Sequence, residues 1–260
     1  RYILSNGANI NLKEDEYGWT PLHCALCQNK RAVISVLVNN NSCDLTIEDN
    51  ERRTPLQYVI DRKIPNRIPL LIGNKMSIKK GESNLLFYYI DNSNVEFLTV
   101  ILPHININSK YTVKNYNNIC LLHYAVIHNK PSIVTCLLQH HVDVNVLDGD
   151  GQKAIDLALK HNHLEVFEML LSRQNIEEKG LNETTLFHRV CKAGQLPMAK
   201  VLREKGANIY AIDKDGDMAI HLVAINGRKE IAEWLLSIGV DIEVKGWNGR
   251  NSFHRACAYG

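Results

Sequence analysis

Apolar residues run along this chain in short bursts at helical spacing, and the bursts come in pairs. Lys229-Glu230-Ile231-Ala232-Glu233-Trp234-Leu235-Leu236 is one of the longer bursts, with apolar positions three and four apart on a single helix face. Gly239 follows and ends it. A shorter burst comes first in each pair, and Thr20-Pro21-Leu22-His23-Cys24-Ala25 shows its form. Thr20 is an N-cap whose hydroxyl can take a free amide of the first turn. Pro21 sits at the first helical position, where no N–H is missed. A Gly or Asn at the tenth position, as in Asn29 or Gly194, tolerates left-handed dihedrals and closes the helix. The pattern therefore predicts a short helix, a turn, a second short helix and a loop. Such a pair cannot bury its apolar face alone, and stacked neighbours would form one continuous core.

The unit recurs. Equivalent starts are Thr20, Thr54, Asn84, Cys120, Lys153, Thr185, Met218 and Asn251, separated by 34, 30, 36, 33, 32, 33 and 33 residues. The fourth position is His23, His123, His188, His221 and His254, with Gln57, Phe87 and Asp156 as departures. Leucine-rich segments such as Leu137-Leu138 and Leu170-Leu171 follow, then Gly-Ala-Asn turns such as Gly206-Ala207-Asn208. Asp-x-x-Gly tips, Asp15 to Gly18, Asp148 to Gly151 and Asp213 to Gly216, complete the unit.

With Thr-Pro-Leu-His-x-Ala, Leu-Leu-x-x-Gly-Ala and Asn162-His163-Leu164-Glu165 in hand, the whole chain resembles the ankyrin-repeat family. The resemblance implies an all-α solenoid of stacked helix-turn-helix repeats with projecting loop or β-hairpin tips. It also implies that the fourth-position histidines link neighbouring loops by hydrogen bonds. The expected organisation is a single array: a partial unit at 1–19, repeats at 20–53, 54–83, 84–119, 120–152, 153–184, 185–217 and 218–250, and a partial unit at 251–260. Both ends read as truncated, with further repeats of a longer chain expected on either side. The second repeat is irregular, because Pro65 and Pro69 fall where its second helix belongs and proline in a helix interior costs about 3 kcal/mol. A short, late or distorted helix is expected there, followed by a tip, Lys79-Lys80-Gly81-Glu82, that has lost the Asp-x-x-Gly pattern. The third repeat lacks Thr, Pro and His together, and its polar connection from Asn108 to Asn118 is expected to be a protruding loop.

Composition adds exclusions. A net charge of +2 over 260 residues gives no reason to expect nucleic acid or an anionic membrane as partner. No apolar run approaches the roughly 18 residues needed to span a bilayer, so this segment is not expected to insert. Seven scattered cysteines fit no zinc or disulfide framework and point to free thiols in a reducing compartment, hence the cytoplasm.

Candidate chemistry dissolves into scaffold. Five histidines at one repeat position argue for a structural role rather than five general bases. His161 and His163 straddle a predicted helix end and make a poor metal pair. Cys24-x-x-Cys27 has no partner pair for zinc. Asp148-x-Asp150-Gly151 lacks the sixth-position glycine and twelfth-position Glu of a calcium loop. No phosphate loop, nucleophile elbow or zincin helix is present. The chain therefore reads as no enzyme, with no cofactor and no metal.

What remains is binding of another protein or peptide, which the family resemblance places on the tips and the concave face of the first helices. Carried over residue by residue, it names Tyr17, Trp19, Arg53 and Arg62 near the N-terminus, Tyr116, His128 and Lys160 in the middle, Lys192, Lys214 and Asp215 further on, and Trp247, Arg250 and Tyr259 at the C-terminal end. Trp, Tyr and Arg are the usual hot-spot residues. Tyr58, Tyr88 and Tyr124 share the fifth position of three consecutive repeats and are expected to pack on neighbouring repeats. The function expected is a scaffold or adaptor. The alternatives are an arm of a toxin or pathogen effector, with an extracellular location if it is a toxin, or a regulatory arm of a membrane channel, with the activity elsewhere in the parent chain.

Overall fold

The computed structural model describes residues 2–62, 64–72, 83–113 and 116–259. In chain order the helices are α1 (Tyr2–Ser5), α2 (Pro21–Cys27), α3 (Arg31–Val38), α4 (Pro55–Asp61), α5 (Ile68–Ile72), α6 (Ser83–Asp91) and α7 (Val95–Ile101). Two short strands follow, β1 (Tyr111–Val113) and β2 (Tyr116–Ile119). Then come α8 (Leu121–Ile127), α9 (Pro131–Gln139), α10 (Ala154–Lys160), α11 (Leu164–Leu171), α12 (Leu186–Ala193), α13 (Leu196–Glu204), α14 (Ala219–Ile225), α15 (Lys229–Ser237) and α16 (Ser252–Tyr259). The predicted tip at Lys79–Glu82 and the residue Lys114 lie outside the described residues.

The chain divides into two compact units, residues 1–121 with 135–142, and residues 122–134 with 143–260. In the first, α2 packs on α4, and α5 packs on both α3 and α7. In the second, α10, α12, α14 and α16 stack in sequence, and α11 stacks on α13. First helices thus pack on first helices and second helices on second helices. The aromatic and aliphatic side chains between them are sealed: Phe87 and Ile90 in the first unit, Phe167, Phe187 and Leu202 in the second. Each such side chain contributes roughly 1.5–3 kcal/mol by leaving water.

The helix boundaries follow from local chemistry. Thr54 accepts a hydrogen bond from the Gln57 amide at 3.2 Å, and Thr185 accepts one from His188 at 3.4 Å. Asn29, Asn129 and Asn162 hold φ of 55°, 49° and 57° where the first helices close. Their short polar side chains tolerate this region better than branched ones. The two prolines of the second repeat have the expected effect: Pro65–Arg67 is a 3₁₀ turn, and α5 behind it has only five residues.

Where a protruding loop is expected between Asn108 and Asn118, the described residues form paired strands. β1 and β2 pair antiparallel, Tyr111 opposite Ile119 and Val113 opposite Tyr116, with a register irregularity between Tyr111 and Val113. Val113 and Ile119 are buried, and the Tyr111 ring meets Phe87 edge-on at 5.6 Å. Alternating β-branched and aromatic residues in a polar context are enough for a half-buried ribbon. Phe87, at the position where other repeats carry His, supplies the apolar seat for it.

Candidate functional site

The histidines at the fourth repeat position form a ladder. The backbone N–H of Thr20 donates to His23 Nδ1 at 3.2 Å, the Thr20 hydroxyl lies 2.9 Å from the same nitrogen, and His23 Nε2 donates to the Arg53 carbonyl at 3.1 Å. His188 repeats this with Thr185 and the Asp217 carbonyl. His221 does so with the Met218 amide and the Val244 carbonyl, both at 3.0 Å. His123 Nε2 reaches the Gln152 carbonyl at 3.2 Å. The rings of His23, His188 and His221 each cap their own helix with one nitrogen and hold the following finger with the other. In His23, His188 and His221 both ring nitrogens are used, so neither is left to act as a base or a metal ligand. Burial pushes the His23 and His188 pKa values down. Burial thus favours the neutral form of these two links.

The tip acids have an equally closed role. Asp148 Oδ1 accepts the amides of Asp150 and Gln152, and Asp213 Oδ1 accepts those of Asp215 and Asp217. Asp49 does the same for Glu51 and Arg53. These carboxylates tie their own loops rather than face a cation. The first finger differs from the expected Asp15 anchor. Glu14 takes the amides of Glu16, Tyr17 and Trp19, while Asp15 is exposed. This finger carries one more residue than the others, and the extra methylene of Glu spans it. The Trp19 amide, first among these donors, holds the Glu14 carboxyl below its ordinary range. Neighbouring fingers also touch: the Asn50 amide donates to the Tyr17 carbonyl at 2.9 Å. Among the described residues no group of three or more His, Cys, Asp or Glu is placed to hold a metal ion. The His161 and His163 rings stack at 5.7 Å, and His163 Nδ1 bonds to the Val126 carbonyl.

The residues expected to meet a partner fall into three settings. In the first unit, Tyr17 and Trp19 lie 4.9 Å apart, and Trp19 meets Tyr58 edge-on at 5.3 Å. The guanidiniums of Arg53 and Arg62 approach the Tyr58 ring at 5.3 and 5.6 Å. Arg53 is buried and bonded to Asp49 through two nitrogens, so its charge is engaged within the finger. Burial and a bond to Cys27 push the Tyr58 hydroxyl up to about 12. Tyr17 and Arg62 are exposed and Trp19 is half-buried. Of the fifth-position tyrosines, Tyr58 and Tyr124 are buried as expected, but Tyr88 is exposed. Tyr116 is half-buried on β2, and His128, also half-buried, lies on the Tyr124 ring at 4.2 Å.

Lys160 and Lys192 lie in the last turns of α10 and α12, and Lys214 and Asp215 form a finger tip; all four are exposed. The third setting is the C-terminal end. Arg250 and Arg255 sit over the Trp247 ring at 5.1 and 5.4 Å, and Arg255 also faces Tyr259 at 5.6 Å. Asp217 is 1% exposed, accepts the Trp247 amide at 2.9 Å and pairs with Arg255.

Family models described as ankyrin repeats match residues 1–84 and 86–180 (three copies) and 187–236 (many copies). The chain belongs to the ankyrin-repeat family. Mouse B-cell lymphoma 3 protein homolog is 26% identical over 214 residues, covering 79% of this chain and 48% of that protein. A putative ankyrin repeat protein of Acanthamoeba polyphaga mimivirus is 25% identical over 241 residues, 88% of this chain and 31% of that one. The chicken nuclear factor NF-kappa-B p105 subunit is 27% identical over 172 residues, 64% of this chain and 18% of that one. The chain thus spans less than half the length of each of these relatives.

Within this ankyrin frame, two arginines stand out that the sequence reading passed over. Arg189 and Arg255 occupy the fifth position, where other repeats place Cys24, Tyr58, Leu157 or Leu222. Each is held by a carboxylate from an earlier repeat, Arg189 by Asp156 and Arg255 by Asp217. Burial pushes Arg189 below its ordinary pKa. The signal in the sequence was the coincidence of an Arg in an apolar slot with an acid about one repeat earlier. Close backbone approach matters at Gly246: a Cβ there would lie 2.2 Å from Asp217 Oδ1 and 3.0 Å from His221 Nε2. Gly246→Ala is therefore expected to lower stability by about 1–3 kcal/mol through overpacking. Urea unfolding checks it, and an unchanged midpoint would mean that the finger shifts freely.

Proposed function

We propose that this ankyrin array is a protein-interaction scaffold that binds another protein or peptide through its first-helix faces and finger tips, and that it carries no reaction of its own. One observation carries the reading. The groups with chemical potential, the histidine ladder and the tip acids, are used up in holding fingers and helices together, while Tyr17, Arg62, Lys160, Lys192, Lys214 and Asp215 stand exposed at positions the fold does not require. Exposed residues on rigidly held loops are where recognition concentrates. Ankyrin relatives of very different length and source share the repeats, which fits a module whose specificity lies in such positions. Trp247 and Tyr259 extend the surface as exposed anchors, and Trp19, Arg250, Tyr116 and His128 as half-buried ones. No helix among the described residues is long and apolar enough to cross a membrane. The seven free thiols support placing the array in a reducing compartment such as the cytoplasm. The activity of the whole protein, whether adaptor, effector or channel, would lie with what the array is joined to.

The test is affinity capture with quantitative mass spectrometry from a native extract. Lys160→Glu with Lys192→Glu, and Tyr17→Ala, are compared with a control, Lys200→Glu, exposed on the second-helix face of α13. Partners recovered by wild type and the control but depleted about tenfold or more by the first-helix and tip variants are expected. Equal recovery by all variants would sink the assignment of the surface.

A further inference from the structure

Between the fingers of the fourth and fifth repeats lies a cleft of about 230 Å³. Its origin can be read from the ladder. At four other boundaries a histidine spans from the first helix to the next finger, as His23 does to the Arg53 carbonyl and His188 to the Asp217 carbonyl. Here the fourth position is Asp156, which is shorter and, ionised, has no proton to donate. It turns to the Lys153 amide and to Arg189 instead. The next finger also lacks its acid: Gly180 stands where Asp49, Asp148 or Asp213 anchor theirs. Two departures at one boundary leave the rung out and the space open.

The lining decides what fits. Leu147, Ile155, Leu181 and Leu186 form apolar walls, and two of them face water in the free protein, Leu147 at 44% and Leu181 at 91% exposure. The charges in and around the cleft cancel in pairs. Asp156 is matched by Arg189, and at the rim Lys153 Nζ is 2.6 Å from Glu178. An ionic group entering would add a charge with no free counter-ion, partly out of water, which is unfavourable. An apolar group would take Leu147 and Leu181 out of water, which is favourable. One polar feature is left over: Arg189 Nε is buried and has no acceptor among the described residues. A small turn of the guanidinium would bring Nε to the cleft, where a neutral carbonyl oxygen would satisfy it without adding charge. The volume is below the roughly 300 Å³ at which drug-sized or cofactor pockets begin, so it suits one side chain.

We propose that this cleft is an anchor site for a single large apolar side chain, of the Leu, Met or Phe type, on a peptide segment whose adjacent backbone carbonyl accepts from Arg189 Nε. This rests on the scaffold reading and adds to it a specific pocket and the chemistry of the residue it takes.

The experiment uses the ¹⁵N-labelled chain and three probes, the N-acetyl N′-methylamides of leucine, aspartate and lysine, each titrated to about 50 mM to reach millimolar Kd values. With the leucine probe, saturable shifts are expected at Leu181, at Thr184 and at the Arg189 side-chain Nε–H. The charged probes are expected to bind at least about tenfold more weakly. Leu147→Arg and Leu181→Arg, at exposed wall positions where folding is not at risk, should each weaken the leucine probe about tenfold or more and leave the thermal melt unchanged. No saturable shift, an equal or stronger response to a charged probe, or undiminished binding in both variants would overturn the proposal. Because this readout needs no partner, its failure leaves the capture result standing, and failure of the capture experiment leaves this result standing.

Discussion

Asp217→Ala is expected to destabilise the second unit by about 3–5 kcal/mol, the usual cost of stranding one member of a buried ion pair. Asp217 is 1% exposed and Arg255 7%. Removing the carboxylate would leave the Arg255 guanidinium between Trp247 and Tyr259 with no anion, and the Trp247 amide without its acceptor. The main-chain role of residue 217 would survive, since its carbonyl still accepts from His188. The loss therefore belongs to the side chain. A second variant separates the stranded charge from simple loss of attraction. Asp217→Ala with Arg255→Met keeps volume in the fifth-position slot and removes the charge, and should recover most of the stability. Urea unfolding followed by tryptophan fluorescence measures both. If the double variant were as unstable as the single one, the explanation by an uncompensated charge would fail.

Acidification is expected to have the second large effect. His23 and His188 are held neutral by burial, with pKa values below their unfolded value of about 6.5. Between the folded and unfolded values the unfolded chain binds more protons, so stability rises with pH there. The ladder's contribution is thus complete above about pH 6.5 and is lost as the pH falls below it. Each ring adds at most about 1.4 kcal/mol per pH unit to that slope, and the two together about 2.7. Denaturation midpoints from pH 7.5 to pH 5 should fall steeply. The His23→Gln, His188→Gln variant should be less stable than wild type at pH 7.5, but its decline toward pH 5 should be shallower. A decline of equal steepness in that variant would place the acid sensitivity in other groups.

Much of this architecture is legible in the sequence because ankyrin repeats write the same local chemistry many times. Thr54 and Thr185 cap, Asn29 and Asn162 close, and His23 and His188 bridge. Each of these roles depends on residues a few positions away or one period on. The misses share a cause. Arg189 with Asp156, and Arg255 with Asp217, join residues 33 and 38 apart that break the repeat's own pattern, so averaging over copies hides them. The ribbon at Tyr111–Ile119 is too short to show a strand period, and it depends on Phe87 from another element. Trp19 closes the first finger opposite Glu14 rather than standing at its tip, which sets its half-burial on Tyr58, whereas the sequence pattern points to Asp15 as the anchor. The first-helix candidates could be named from their positions, whereas the inter-finger cleft required knowing that Asp156 turns aside toward Arg189.

The longer anchor in the first finger bears on how such arrays diversify. Asp213 closes its loop onto residue 217, four positions on, and Glu14 closes its loop onto residue 19, five positions on. Side-chain reach and loop length are thus exchangeable, one methylene for one residue. A lineage could lengthen a single finger by an insertion paired with an Asp-to-Glu change and leave the helix behind it in register. The reach of each finger toward its target would then vary independently of its neighbours, in steps of one residue.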